Sequence, residues 1–235
     1  MAALTLTQVI ARLSKFYGPP APPPVTDPFE QVLWESVAYL ADDEKRAAAF
    51  SALRKTVGLT PQDILKAKPE KLLAVTRMGG MAPEPRAQRL RQSAEIVQIL
   101  LCGKLDALLD ESLPKAKKTL QRFPGIGEPG AEKILMFAGK YPVFGMESNG
   151  LRVLLRLGFS EEQKSYSASY RGVKNAISEQ LPQDCKFLVT AHQLLRKHGQ
   201  ELCKRSRPLC NDCPLKDSCH YARFDRLALP RLPSL

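Results

Sequence analysis

Residues 123–152 read FPGIGEPGAEKILMFAGKYPVFGMESNGLR, and the fold of the chain turns on how they are interpreted. The stretch opens with two glycines around one apolar residue, Gly125-Ile126-Gly127, between a Lys-rich helical segment and a second helical segment that begins near Pro129. Glycine permits a tight, positive-φ turn and removes the side chains that would keep a ligand off the backbone N–H groups. Such a turn, opening directly into a helix, is an anion site. With Lys115, Lys117 and Lys118 just upstream, the expected anion is a nucleic-acid phosphate. The competing reading is an ordinary helix-helix turn, because short glycine motifs recur widely without function.

A second dense signal lies near the C-terminus. Cys203, Cys210, Cys213 and Cys219 form a C-x6-C-x2-C-x5-C pattern, which takes in four of the six cysteines. Thiolates this close in sequence can wrap one compact centre, either a four-cysteine [4Fe–4S] cluster or a tetrahedral zinc. Disulfides rank behind both in a chain without a secretory signal. Lys204, Arg205 and Arg207 sit between the first two ligands. Closing that segment onto a rigid centre would hold three cations in one loop, ready for a phosphate backbone; the alternative is a solvated charge run. Cys102 and Cys185 lack partner spacing and are expected to be buried small hydrophobes. His192, His198 and His220 suggest no second metal site and are expected to pack in the core or at the surface.

The 235 residues suffice for one large domain or two small ones, and the formal charge of +11 points to a polyanionic partner. A generally basic, solvated surface is the duller account. No apolar run is long enough for a membrane span. The acid-free first 26 residues hold only Arg12 and Lys15 as bases, and suit an amphipathic helix better than a transit peptide.

Along the chain the signals are nearly all helical. Apolar spacing predicts a helix over 6–17 ending at Tyr17-Gly18, followed by PPAPPPV as a stiff extended connector. Asp27-Pro28 starts the next helix as N-cap and first residue. Thr60-Pro61-Gln62-Asp63 is a capping box, Lys68-Pro69 ends one helix and begins another, and Gly79-Gly80 marks a break. Arg86 to Leu101 carries Leu90, Ile96, Val97 and Leu100 at helical spacing. Gly158 closes the helix after Glu147, and Ser160-Glu161-Glu162-Gln163 opens the next. No alternating strand is evident, so the chain is expected to be all-α. The tail from Arg223 to Leu235 either docks on the fold or is disordered.

FPGIG followed by a helix, an acid in ESNGLRV, the cysteine spacing and DPFEQVLWESVAYL over 27–40 together resemble the helix-hairpin-helix DNA glycosylases, in particular their endonuclease III branch. The cysteine spacing matches that family's cluster loop residue for residue, and His198-Gly199 resembles its approach to the first ligand. The resemblance covers most of the chain. It implies an all-α, two-domain fold: a six-helix domain over about 28–141 with the helix-hairpin-helix, and an iron–sulfur domain of 1–27 plus 142–235. It further implies a [4Fe–4S] cluster on Cys203, Cys210, Cys213 and Cys219. The implied partner is double-stranded DNA, damaged or mispaired, lying across the groove between the domains. The protein is then a cytoplasmic monomer, nucleoid-associated if bacterial.

The same resemblance puts the family's hairpin on Phe123–Gly127, its catalytic lysine on Pro129 and its catalytic aspartate on Glu147, so both catalytic positions are altered. Pro129 is an internal imide with no free amine, which excludes Schiff-base lyase chemistry from that position. Lys133 lies four residues on, on the same helical face, and is a substitute amine. Its neighbours Ile134, Leu135 and Phe137 favour a packed or solvent-reaching lysine instead. Glu147 keeps the charge, but its extra methylene moves the carboxylate by about 1.5 Å. A displacement of that size can lower the rate on the order of a hundredfold. Its non-catalytic role is that of an N-terminal helix acid.

Leu40 stands where the family has a glutamine, and Met81 about where it has an apolar wedge. Both can unstack bases, and neither can hydrogen-bond an orphaned base through its side chain. Core packing is the competing role for Leu40. Glu128 places an acid near the expected phosphate, with Arg152 and Arg156 as compensating cations or as surface and ion-pair groups. Two functions are left in view: a monofunctional DNA N-glycosylase using Glu147, and a DNA-binding protein that keeps fold and cluster without excision.

Overall fold

The computed structural model describes residues 4–225, so the tail beyond Asp225, for which docking or disorder was expected, lies outside the described residues. Among the described residues the fold is all-α. Its one β-type feature there is an isolated parallel bridge between Tyr39 and Gly80. The chain divides into two compact units, one of residues 24–141 and one joining the N-terminal segment to everything from Pro142 onward.

The N-terminal segment of the second of these holds α1 (Leu6–Tyr17), started by a Thr5/Gln8 capping box and stopped at Gly18, whose φ is 73°. Thr5 and Gln8 each satisfy a backbone N–H that the first turn leaves without a helical acceptor. The buried face of α1 is Leu6, Val9, Ile10 and Leu13. Residues 19–25 form the extended proline connector.

The 24–141 unit contains α2 (Pro28–Val37), α3 (Asp43–Thr56), α4 (Pro61–Lys66), α5 (Pro69–Met78), α6 (Pro83–Leu100), α7 (Leu113–Leu120) and α8 (Glu128–Phe137). Asp27 caps α2 by accepting from Glu30 N–H, and the Thr60/Asp63 box opens α4. Helix α6 starts three residues before Arg86, at Pro83, because Ala82 in the left-handed region turns the chain directly into it. Its buried stripe is Arg86, Leu90, Ser93, Ala94 and Val97, whereas Leu100 is exposed and Ile96 half-buried. An arginine and a serine therefore occupy core positions that apolar spacing had given to other residues.

The other unit adds α9 (Ser148–Leu157), α10 (Tyr166–Ile177) and α11 (Cys185–Glu201), with α11 packed against α9 and α1. Leu6 N–H donates to Gln180 Oε1 at 2.8 Å and fastens the start of α1. Gly158 closes α9 as expected, with φ 93°. Ser160–Gln163 does not open α10. Ser165 caps that helix, and Gln163 N–H donates to Ser169 Oγ at 2.8 Å within a loop. The reason is apolar: no residue before Tyr166 continues the spacing of the buried Tyr170, Val173 and Ile177.

Two cysteine expectations also fail. Cys102 is exposed in the turn after α6, with φ 49°, and Cys185, the first residue of α11, is half-exposed. Both sit at helix ends, where the chain has not yet entered or has already left the core.

Candidate functional site

The glycine turn of the 24–141 unit is docked by its apolar neighbours. Phe123 and Ile126 are both buried, and Ile126 N–H donates back to Phe123 O at 3.1 Å. Burying side chains of this size stabilises the turn by roughly 1.5–3 kcal/mol each. Gly125 between them has φ 86°, and Gly127 follows in extended geometry as the cap of α8. The first N–H groups of α8 lie outside the helical ladder, and Pro129 contributes none. A Cβ added at Gly125 would lie 3.4 Å from Arg89 Nη1, so an exposed guanidinium stands beside the turn. Sequence reasoning missed Arg89, because nothing in a linear pattern brings α6 to the hairpin.

The three upstream lysines divide. Lys117 is taken up within the fold: its ammonium bonds Glu128 Oε1 at 3.0 Å and, more closely, Glu132, whose side chain is 0% exposed. Burial alone would lower the Lys117 pKa, but the hydrogen bonds it donates to Glu132 and Glu128 carry it above the usual lysine value. The predicted phosphate role of Lys117 gives way to this internal one. Lys115 pairs with Glu111 at 2.7 Å on the surface, and Lys118 is exposed. Lys133 is held at 2.7 Å by Glu35, with its side chain 13% exposed.

Leu40 is 70% exposed and Met81 61% exposed, so core packing of Leu40 is overturned. The two are presented together. Tyr39 N–H donates to Gly79 O at 3.0 Å and Met81 N–H to Tyr39 O at 3.1 Å, which ties the two turns side by side. Leu40 pays for that position with φ 47°, a left-handed conformation that leucine rarely adopts.

In the other unit Glu147 caps α9. Its Oε1 accepts from Gly150 N–H at 2.7 Å and its Oε2 from Asn149 Nδ2 at 2.9 Å. Asn149 Oδ1 in turn accepts from Arg152 Nη2 at 2.7 Å, and Arg152 also donates to Gly199 O at 2.7 Å and to Cys203 O at 2.9 Å. Arg156 lies over the Tyr221 ring at 4.5 Å and donates to Lys204 O, Arg205 O and Cys203 Sγ. Arg152 and Arg156 thus hold the backbone of the cysteine segment. The close approach of α9 to α11 requires Gly199, where a Cβ would come within 2.7 Å of Asn149.

Cys203, Cys210, Cys213 and Cys219 line one cavity with His198, walled by Val153, Leu202 and Leu215. Leu215 N–H donates to Cys213 Sγ at 3.4 Å, and the Cys219 thiol donates to Arg156 O at 3.3 Å. His198 is buried, which pushes its pKa down to about 4; its Nε2 is 3.5 Å from Cys213 Sγ and its Nδ1 3.1 Å from the Tyr17 hydroxyl. His192 is also buried, against Gly145 O, while His220 is exposed and tilted on Phe224. Among the described residues no three His, Cys, Asp or Glu side chains converge tightly enough for a single metal ion. Lys204, Arg205 and Arg207 are all exposed. A polar cavity of about 500 Å³, lined by Ser148, Arg152, Arg156, Lys164, Tyr166 and Arg205 among others, adjoins this network.

No protein-family model matches the chain. It is similar to the endonuclease III of Sulfolobus acidocaldarius, 27% identical over 194 residues that cover 82% of each chain. The endonuclease III of Thermotoga maritima is 27% identical over 198 residues, 84% of this chain and 85% of that one. A solved non-covalent endonuclease III–DNA complex has the same fold, with a TM-score of 0.76 at 20% identity over 96% of this chain and 100% of the other. Fold, near-full-length likeness and glycine hairpin agree: the chain has the fold of the helix-hairpin-helix DNA glycosylases and is similar to their endonuclease III members.

Proposed function

We propose that this protein is a DNA-repair glycosylase that removes a damaged or mispaired base from duplex DNA by hydrolysis, without cutting the strand. Two separate observations carry the reading: at Pro129 the position that would supply an amine has none, and at Glu147 a carboxylate stands oriented at the start of α9. Two hydrogen bonds fix that carboxylate, and a fixed anion can stabilise an oxocarbenium-like sugar or take a proton from the attacking water. The water oxygen bonds the sugar carbon as the bond to the base breaks, and the base departs with the electron pair and a proton. Lys133, already paired with Glu35, is a poor replacement nucleophile.

Duplex DNA is the partner that the charge of +11 suits. Gly125, Ile126 and Gly127 offer backbone donors, with Arg89 and Lys118 as the nearby cations. An enzyme that extrudes a base must fill the gap, and Leu40 and Met81 are the exposed apolar side chains for that task.

The four cysteines are proposed to hold a [4Fe–4S] cluster, which would supply a rigid centre for the 203–219 segment. The donor set fits: four thiols around one cavity, with donors from Leu215 and Arg156 aimed at two sulfurs. Cys219 would give up its thiol proton on binding.

A second reading has its own observation. Both oxygens of Glu147 already serve within α9, as they would in a DNA-binding protein that no longer excises. A base-excision screen on duplexes with different lesions decides between them. Strand breaks that appear only after alkali, with Glu147→Gln at least about a hundredfold slower, support the enzyme. Salt-sensitive binding with no product from any lesion supports the second reading. Nicking without alkali that Lys133→Ala removes overturns the absence of lyase chemistry. For the centre, the expected protein is brown with about four irons per chain; a colourless protein with one zinc refutes the cluster.

A further inference from the structure

Arg86 is 1% exposed, one of the largest fully buried side chains of the protein, and its described hydrogen bonds all go to backbone carbonyls. Nε donates to Met81 O at 2.8 Å, and Nη2 donates to Thr76 O at 2.6 Å and to Gly80 O at 2.8 Å. Nη1 donates to Val37 O. The acceptors come from four places: the end of α2, the last turn of α5, and two successive residues of the turn that carries Met81. Val37 O and Thr76 O are helix C-terminal carbonyls, which lack an i+4 N–H donor in their own helices and sit at the negative ends of two macrodipoles, Thr76 O also accepting from the cap Gly79 N–H at 3.0 Å. Those two ends stabilise a buried cation without a carboxylate.

The geometry is specific to a planar guanidinium. A single fork reaches across from the α2 turn, which presents Leu40, to the Gly79-Gly80 turn, which presents Met81. A lysine has three donors on one atom and cannot span both. Gly79 leaves room for the fork: a Cβ there would fall 2.7 Å from Arg86 Nη1 and 2.1 Å from Val37 O. The Tyr39–Gly80 bridge then completes the clamp from the outer side.

We infer that Arg86 is the positioning residue of the base-extruding wedge, holding Leu40 and Met81 from behind at a fixed separation and orientation so that both enter the stack together. It touches no DNA. Its effect on unstacking passes through the two turns. This rests on the reading of Leu40 and Met81 as wedge residues given above.

The test uses the full-length protein, as purified, on a duplex with a tetrahydrofuran abasic analogue opposite 2-aminopurine, whose fluorescence rises when the base unstacks. The parent is expected to give the rise, and a Leu40→Ala/Met81→Ala double variant to lose it. Arg86→Lys is expected to lower the rise at least about fivefold through misplaced side chains. Its Kd is expected to stay within about twofold, because phosphate contacts are made elsewhere. A full rise with Arg86→Lys, or a loss of rise in proportion to a loss of binding, overturns the inference while leaving the wedge intact. A parent without any rise overturns the wedge reading itself, and this inference with it. Should Arg86→Lys not fold, the parent decides by side-chain NMR. An Arg86 Nε–H that exchanges like an exposed arginine overturns the clamp, and a slow Nε–H slowed further by the duplex supports it.

Discussion

Arg152 Nε donates to the backbone carbonyl of Cys203 at 2.9 Å, which joins the middle of α9 to the first cysteine of the 203–219 segment. The same guanidinium reaches Asn149 and, through it, Glu147, so one side chain braces the cysteine segment and the carboxylate at once. Hydrogen bonds from a charged donor contribute roughly 1.5–3 kcal/mol each. Arg152→Lys keeps the charge but loses the fork. It is expected to lower stability by about 2–4 kcal/mol in urea, to release iron of the proposed cluster faster to a chelator, and to slow the proposed excision in step with iron loss. An unchanged urea midpoint and an unchanged iron content would show that the brace is dispensable.

Lys117 and Lys118 are adjacent in sequence and opposite in role. Removing the Lys117 ammonium takes one cation from the buried Glu132, so Lys117→Met is expected to destabilise by about 3 kcal/mol. The salt dependence of duplex binding should barely move. Lys118→Ala is expected to do the reverse: stability within about 0.5 kcal/mol, and a shallower salt slope by about one. The Lys117 pKa lies above the usual lysine value in spite of burial, through Glu132 and Glu128. Its stabilising contribution is therefore complete at neutral pH and is lost as pH rises through the folded-state pKa. An alkaline loss of stability in the parent that Lys117→Met lacks is the accompanying signature; equal salt slopes for the two variants would sink the assignment.

The hairpin, the proline-started helices and the caps at Asp27 and Thr60 were legible in the sequence because each depends on residues within a turn of one another, whereas the cap of α10 fell at Ser165 rather than Ser160. Thr60 and Asp63 need only their own spacing to close a box, and Gly125 needs only its own missing Cβ. What the sequence hid depends on which distant groups meet. Lys117 looked like a phosphate ligand until α8 brought Glu128 and Glu132 to it. Arg152 and Arg156 looked like surface cations until the cysteine segment folded over them. Arg86 broke the apolar pattern of α6 and would have been assigned to solvent, since a buried arginine is rare without a carboxylate and its acceptors are carbonyls, which every residue carries.

Gly125 adopts φ 86°, and a Cβ there would touch Arg89 Nη1 at 3.4 Å. Placing an L side chain in that region costs about 1–2 kcal/mol, offset in part by the lower chain entropy of alanine. Gly125→Ala is expected to destabilise by about 1 kcal/mol and to weaken duplex binding as the backbone donors are covered. Arg89→Ala should weaken binding without the stability loss. If Gly125→Ala binds duplex as well as the parent, the turn is structural and grips no phosphate.

Leu40 sets stability against the proposed activity. Its left-handed φ of 47° costs about 1–2 kcal/mol. Glycine relieves that strain but brings roughly 0.5–1 kcal/mol of extra chain entropy to lose on folding. Because the side chain is 70% exposed, removing it forfeits little burial, and Leu40→Gly is expected to stabilise the protein by up to about 1 kcal/mol. The same change deletes half of the wedge, so 2-aminopurine unstacking should fall even as the melting temperature rises. A structural leucine would give the opposite pair of results, a lower melting temperature with unstacking preserved, because a side chain retained for packing has no reason to sit in a strained conformation with its surface in water.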